Sequence, residues 1–196
     1  MSTESATTRP FDLFGAAVER LCHDLSSGPR SLPVRGLDGD AAGVLDELQA
    51  HPRPDVVVVQ CNGWNIRHRG STPSELQDGL RRLGYRTFLI EEDGTARLRP
   101  LGKGEFAPVA VAHIAALMRP GPLPAPWRWG APLTEDEVVG RIIRTCVDPH
   151  PPYREEGAWL VREAAPALAA HRALRVVAEA LRDDPDERVR AVARGA

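Results

Sequence analysis

The hydrophobic pattern of this chain changes character along its length. From Phe11 to Leu25, "FDLFGAAVERLCHDL" sets Leu13, Ala17, Leu21 and Leu25 at helical spacing, with Phe14 and Val18 beside them. That is an amphipathic helix. The polar residues 1–9 before it read as a tail, and "SSGPR" stops it. "SLPVRGL" is a short strand candidate. "DGDAAGVLDELQAH" then returns to helical spacing, with Asp38 or Asp40 as N-cap and Val44, Leu45 and Leu48 inward. "RPDVVVVQC" follows, and its four valines predict a strand buried on both faces.

Beyond the valines lies a polar, aromatic and basic loop, "NGWNIRHRGS". "TPSELQDGLRRLGY" next carries a full set of helix signals. Thr72 caps, Pro73 suits the first helical position, Glu75 completes a capping box, and Gly84 stands at C′. "RTFLIEEDGTARLRPL" reads as a hairpin about Asp-Gly, and "APVAVAHIAALM" as an apolar segment, helical or extended. Residues 31–101 thus read β-α-β-α-β-β, an α/β fold with a mainly parallel sheet and one antiparallel strand from the hairpin. Val56, Val58, Leu76, Leu80, Leu83, Phe88 and Ile90 are expected to share one core.

After residue 118 the pattern changes, and beyond residue 132 strand signals stop. "RPGPLPAPWRWGAP" holds five prolines and two glycines, a stiff linker or surface strap. "LTEDEVVGRIIRTC", with Thr134 as N-cap and Glu137 at N3, opens a purely helical region. There "VREAA" at Val161 returns as "VRAVA" at Val189, a period of 28 residues (189 − 161). The expected division is a tail and helix over 1–30, an α/β domain over 31–118, a linker over 119–132 and helices over 133–196.

Charge and composition narrow the function classes. The 196 residues carry 25 Lys and Arg against 27 Asp and Glu, a net charge of −2. Such a balance gives no general attraction to nucleic acid or to anionic membranes. No apolar run approaches the roughly 18 residues of a membrane span, and "MSTESATTRPFD" has no apolar signal region, so the expected location is the cytoplasm. Cys22, Cys61 and Cys146 form no CxxC pair, which argues against a disulfide framework and a zinc knuckle. The abundance of Pro, Ala, Arg, Gly and Val suggests a bacterial coding sequence.

Candidate chemistry gathers behind the valine strand, where ligands of open α/β sheets bind. Cys61 stands where a nucleophile could, given a thiol pKa lowered by His68 or by the helix starting at Pro73. The plainer reading is a small buried residue at a strand end. Arg67, His68 and Arg69, with Arg81, Arg82 and Arg86 in reach, could bind phosphate or carboxylate, or could be a solvated loop. Trp64 could stack on a flat ligand or plug the sheet edge. His113 reads as a satisfied core or interface histidine. Cys146, Asp148 and His150 lie close in sequence, but no second cluster completes four-coordinate zinc, so no metal site is expected. Trp127 and Trp129 read as anchors of the strap.

The order of these elements resembles the C-terminal half of the FkbM-family methyltransferases. The likeness runs over residues 33–118, through "RGLDGDAAGVL", "VVVVQCN", "STPSELQDGLRRLGYRTFLIEEDGTARLRPL" and "FAPVAVAHIAAL". It implies a partial Rossmann-like sheet and S-adenosylmethionine (SAM) chemistry on sugars or natural products. In this alignment the family's strand-end Asp falls on Gly36, its following Glu on Asp38, its second strand-end acid on Gln60 and its late Asn on His113. Asp38, Gln60, Asn62, Trp64, Arg67 and Arg69 become the ligand-binding candidates, with Cys61 and His68 as catalytic candidates. The family's SAM-binding half, with its Gly-rich strand-to-helix turn, has no counterpart upstream of Ser31. The expectation is therefore a catalytically inactive methyltransferase-like interaction module without cofactor. The alternatives are a SAM-dependent O-methyltransferase, half of a split one, or another enzyme using Cys61 and His68. The last 40 residues resemble HEAT-type helical repeats, "VREAAPAL" and "LRVVAEALRDDPDERVRAVA". They imply a protein partner or a homodimer held through the C-terminal helices.

Overall fold

The computed structural model describes residues 16–27, 34–38, 41–50, 52–91, 95–102, 110–164 and 166–195. In chain order the elements are α1 (Ala16–Ser27), β1 (Val34–Asp38), α2 (Ala41–Ala50), β2 (Val56–Asn62), α3 (Gly63–His68) and α4 (Pro73–Arg82). There follow β3 (Arg86–Ile90), β4 (Arg97–Pro100), β5 (Val111–Leu117) and β6 (Arg128–Trp129). The helices α5 (Glu135–Cys146), α6 (Pro151–Glu163), α7 (Pro166–Ala169), α8 (Arg172–Leu181) and α9 (Glu187–Arg194) complete the chain.

The four valines of β2 are all fully buried, as a strand covered on both faces requires. Val57, Val59 and Cys61 pack with Leu48, Leu76, Leu80 and Leu89, under α2 and α4. Val56 and Val58 pack on the opposite face with Leu21, Leu25, Phe88, Ile90 and Trp127. The seven residues expected in one core therefore divide between two. Strand side chains alternate faces, so Val56, Val58, Phe88 and Ile90 cannot join Leu76, Leu80 and Leu83 through the sheet.

The sheet has six strands in the order β1-β2-β5-β3-β4-β6. β1 runs parallel to β2, and β5 lies antiparallel between β2 and β3. β3 pairs antiparallel with β4, which pairs parallel with β6. Three strands thus run each way, in place of the mainly parallel sheet expected. The two strands beyond those expected are β6, from residues 128–129, and "VAHIAAL", which local pattern leaves open between helix and strand. Set between β2 and β3, it must be a strand, because both neighbours carry backbone groups that need partners there. The β3–β4 pairing is that of the expected hairpin, whose turn at 92–94 lies outside the described residues.

Thr72 and Glu75 form the capping box of α4, and Gly84 follows with φ +94°. Thr134 and Glu137 form that of α5. Asp38 is the last residue of β1, and Asp40 lies outside the described residues. Residues 119–132 form a strap against the sheet. Trp127 is buried and donates its indole N–H to Asp24 Oδ2 of α1 at 2.9 Å, and the next two residues add β6 to the edge.

The C-terminal helices hold their own core, with Val139, Ile142, Leu160, Leu174, Leu181 and Val189 at its centre. They contain an internal repeat that the 28-residue period misses. Val161 lies near the end of α6 and Val189 near the start of α9, so they are not equivalent. The true repeat runs from Asp148-Pro149 to Asp184-Pro185, 36 residues (184 − 148). Asp148 Oδ1 accepts from the backbone of His150, as Asp184 Oδ1 does from Asp186. Arg154 then donates to the carbonyls of Asp148 and Pro149, as Arg190 does to those of Asp184 and Pro185. The same side chain closes the same turn twice, so α5-turn-α6 and α8-turn-α9 are two copies of one unit. Val147 and Val176, on separate elements, are the exposed large hydrophobics described there. The helices show no broad uncovered apolar face among the described residues. No described helix is long and apolar enough to cross a membrane.

Candidate functional site: the segment after β2

β2 continues to Asn62, and what reads as a loop is mostly the short helix α3. Asn62 is its N-cap, accepting from Asn65 N–H at 3.0 Å. That bond engages the Asn62 side chain in local structure. Gln60, half-buried on the preceding strand, stands in register with Asp38 on β1 and with buried His113 on β5.

Cys61 is 3% exposed and packs among apolar side chains. Burial, with the negative charge of Glu156, pushes its thiol up to about 12 against the opposing pull of Arg67. A nucleophilic cysteine needs the reverse shift, so the burial of Cys61 favours the plainer reading of a small residue at a strand end. His68 is directed elsewhere. Its Nδ1 lies 2.9 Å from Trp64 O, its Nε2 3.8 Å from Glu155 Oε1, and its ring stacks 4.0 Å from that of Trp64. Trp64 donates its indole N–H to Glu155 Oε2 at 2.9 Å, so it is a strut to α6 with one face on His68.

Arg67 makes the strongest of these contacts. Nε donates to Glu156 Oε2 at 2.7 Å and Nη2 to Oε1 at 3.2 Å, while Nη1 and Nη2 donate to Glu163 at 2.6 and 2.8 Å. The guanidinium also lies over the Trp159 ring at 5.2 Å. Burial disfavours its charge, but the hydrogen bonds to Glu163 and Glu156 outweigh burial and hold it protonated. Glu156, 1% exposed, is made a weaker acid by burial, its pKa pushed up to about 7 in spite of Arg67. Gly63 makes the approach possible: a Cβ there would stand 2.3 Å from Glu156 Oε1. Arg69 is exposed at the C-cap of α3.

A second charged cluster binds the helices at the end of β3. Glu91, buried, accepts from Arg141 at 2.8 Å and from Arg99 at 3.3 Å. Arg99 also grips Glu137 through two bonds of 2.6 and 2.7 Å. Arg99 and the Thr134 cap hold the Glu137 carboxyl well below the usual range. The carboxyl ends of β2 and β3, where an open sheet would take a ligand, are therefore joined to the chain's own α5 and α6.

The other candidates scatter. The α4 N-terminus is closed by its capping box, and Ser71 adds a bond to Glu75. Arg81, Arg82 and Arg86 belong to the last turn of α4 and the start of β3, at the far end of the sheet from α3. Cys146 is buried with its thiol pushed up to about 12, and Asp148 is taken up by His150. No group of metal-binding side chains occurs among the described residues. Among the described residues the element ahead of β1 is the helix α1.

The decisive acids, Glu155, Glu156 and Glu163, escaped sequence reasoning. "REEGAWLVRE" resembles an ordinary charged helix face, and two adjacent acids beside a helical glycine were its one local oddity. Comparison of the chain with family models, with curated proteins and with solved structures gave no match.

Proposed function

We propose that this chain is a truncated, catalytically inactive methyltransferase-like protein that acts as a binding or interaction module. In the likeness to the FkbM family it belongs to bacterial sugar or natural-product modification, in the cytoplasm. One observation carries the reading: the residues that would face an acceptor substrate are spent inside the molecule. Arg67 is closed by Glu156 and Glu163, Trp64 by Glu155, and Cys61 by the core. The order β1-β2-β5-β3, with an antiparallel strand between two strands of common direction, adds support for a Rossmann-like ancestry. The exposed side of α8, with Arg172, Arg175, Val176 and Glu179, offers a mostly charged surface to a protein partner or a second copy.

Calorimetry with SAM and its demethylated product tests this reading. The expected outcome is no binding at sub-millimolar ligand and no thermal shift. Saturation at 100-fold over the dissociation constant would add about 2.7 kcal/mol, which a thermal scan detects. A clear shift refutes the inactive reading. Half of a split SAM-dependent O-methyltransferase is the second reading, favoured by β1 being an end strand of the sheet. It requires SAM to bind only after a second chain is added.

A further inference from the structure

A cleft of about 400 Å³ opens between the end of α4, the start of β3 and the end of β4. It lies at the opposite end of the sheet from α3. Its described lining combines Arg81 and Arg86 with Tyr85, Phe88, Pro100 and Leu101, and includes no acidic side chain. Two cations in an apolar recess without a counter-charge focus a positive field on whatever enters.

Neither arginine is fully engaged. Arg81 Nη2 donates to Leu101 O at 2.8 Å, but Nη1 is buried with no hydrogen-bond partner among the described residues. An orphaned buried guanidinium nitrogen calls for an acceptor such as an ion or water. Turning it towards the cleft gives up no hydrogen bond at that nitrogen. Arg86 is exposed, lies over the Phe88 ring at 5.9 Å, and has no carboxylate partner among the described residues. By contrast Arg67, Arg99, Arg141 and Arg154 are all paired with acids.

We infer that this cleft binds a small organic anion, whose carboxylate or phosphate head pairs with Arg81 and Arg86 while its apolar body lies against Phe88, Pro100 and Leu101. Guanidinium groups match both heads through paired N–H donors. The volume falls in the small-molecule range. The cleft shares no residue with the ligand-binding candidates around the end of β2, so SAM bound there would leave it untouched.

The test titrates the full chain with phenyl phosphate, benzoate and neutral benzamide, by calorimetry and ligand-observed NMR. Saturable binding of at least one anion is expected, at least about tenfold tighter than benzamide. The two anionic arms distinguish a phosphate from a carboxylate ligand. Arg86→Gln, at an exposed position, should weaken the bound anion by about tenfold or more with an unchanged circular dichroism spectrum. Arg81→Lys, which keeps the charge but loses the fork, should weaken it as well. Equal binding of benzamide, full affinity in Arg86→Gln, or no saturation by either anion below about 10 mM would each overturn the inference.

Discussion

Arg67 of α3 and Glu156 of α6 form a two-bond ion pair, at 2.7 and 3.2 Å, with side-chain exposures of only 8% and 1%. The pair fastens a helix of the C-terminal region against the end of β2. It turns the most chemically suggestive stretch of the sequence into an internal joint.

Space for that joint comes from Gly63. Gly63→Ala should destabilise the protein by about 1–3 kcal/mol, as overpacking of a close contact does. Glu156 is pinned by Arg67 and cannot yield freely. Urea denaturation of Gly63→Ala, Glu156→Ala and the double variant checks this. The cost of Gly63→Ala should shrink in the Glu156→Ala background. Strictly additive losses would mean the glycine serves something other than Glu156.

Glu156 also sets a pH dependence. Burial raises its pKa from the ordinary 4.5 to about 7, so across that window the folded chain holds a proton that the unfolded chain has released. Its contribution to stability is therefore complete below about 4.5 and declines as pH rises to about 7, then stays level. Asp184 and Glu137, whose pKa values are lowered, act in the opposite sense and at more acid pH. Denaturation at several pH values between about 5 and 8 should show a smaller fall for Glu156→Gln than for the parent. An identical fall in both would mean that Glu156 is not its source.

Cysteine labelling reports the same joint. Cys61 and Cys146 are buried with thiols pushed up to about 12, and Cys22 is shifted equally far. A thiol reagent near pH 7.4 should react slowly with all three in the native protein and promptly after unfolding. Arg67→Ala leaves Glu156 as an unpaired buried acid, a loss of about 3–5 kcal/mol for such pairs. Labelling of Cys61 should accelerate in that variant. Fast labelling of Cys61 in the parent would revive its reading as a reactive group.

The sheet can be tested at Leu80, a residue of α4 that is fully buried against it. Leu80→Ala should cost about 2–5 kcal/mol in chemical denaturation. Val176→Ala, at an exposed position of α8, should stay within about 0.5 kcal/mol. A small loss at Leu80 would mean that α4 does not close that face.

Local grammar alone determined much of this molecule. Thr72, Pro73, Glu75 and Gly84 bracket α4 within a few residues of chain, because caps act on backbone groups of the same turn. Four adjacent valines similarly fix β2 as a strand covered on both sides. The two copies of Asp-Pro with Arg six residues on were also present in the sequence, at a spacing of 36 that the shorter apolar match concealed. Only the tertiary structure decided that "VAHIAAL" is a strand, since the demand for it comes from β2 and β3. The same holds for Arg67 and its acids, 89 and 96 residues away. A basic residue in a loop and an acid on a helix each look solvated on their own. The burial of Arg67 and Glu156 follows from the packing of α6 on α3, which leaves those two charges little water and one another as partners.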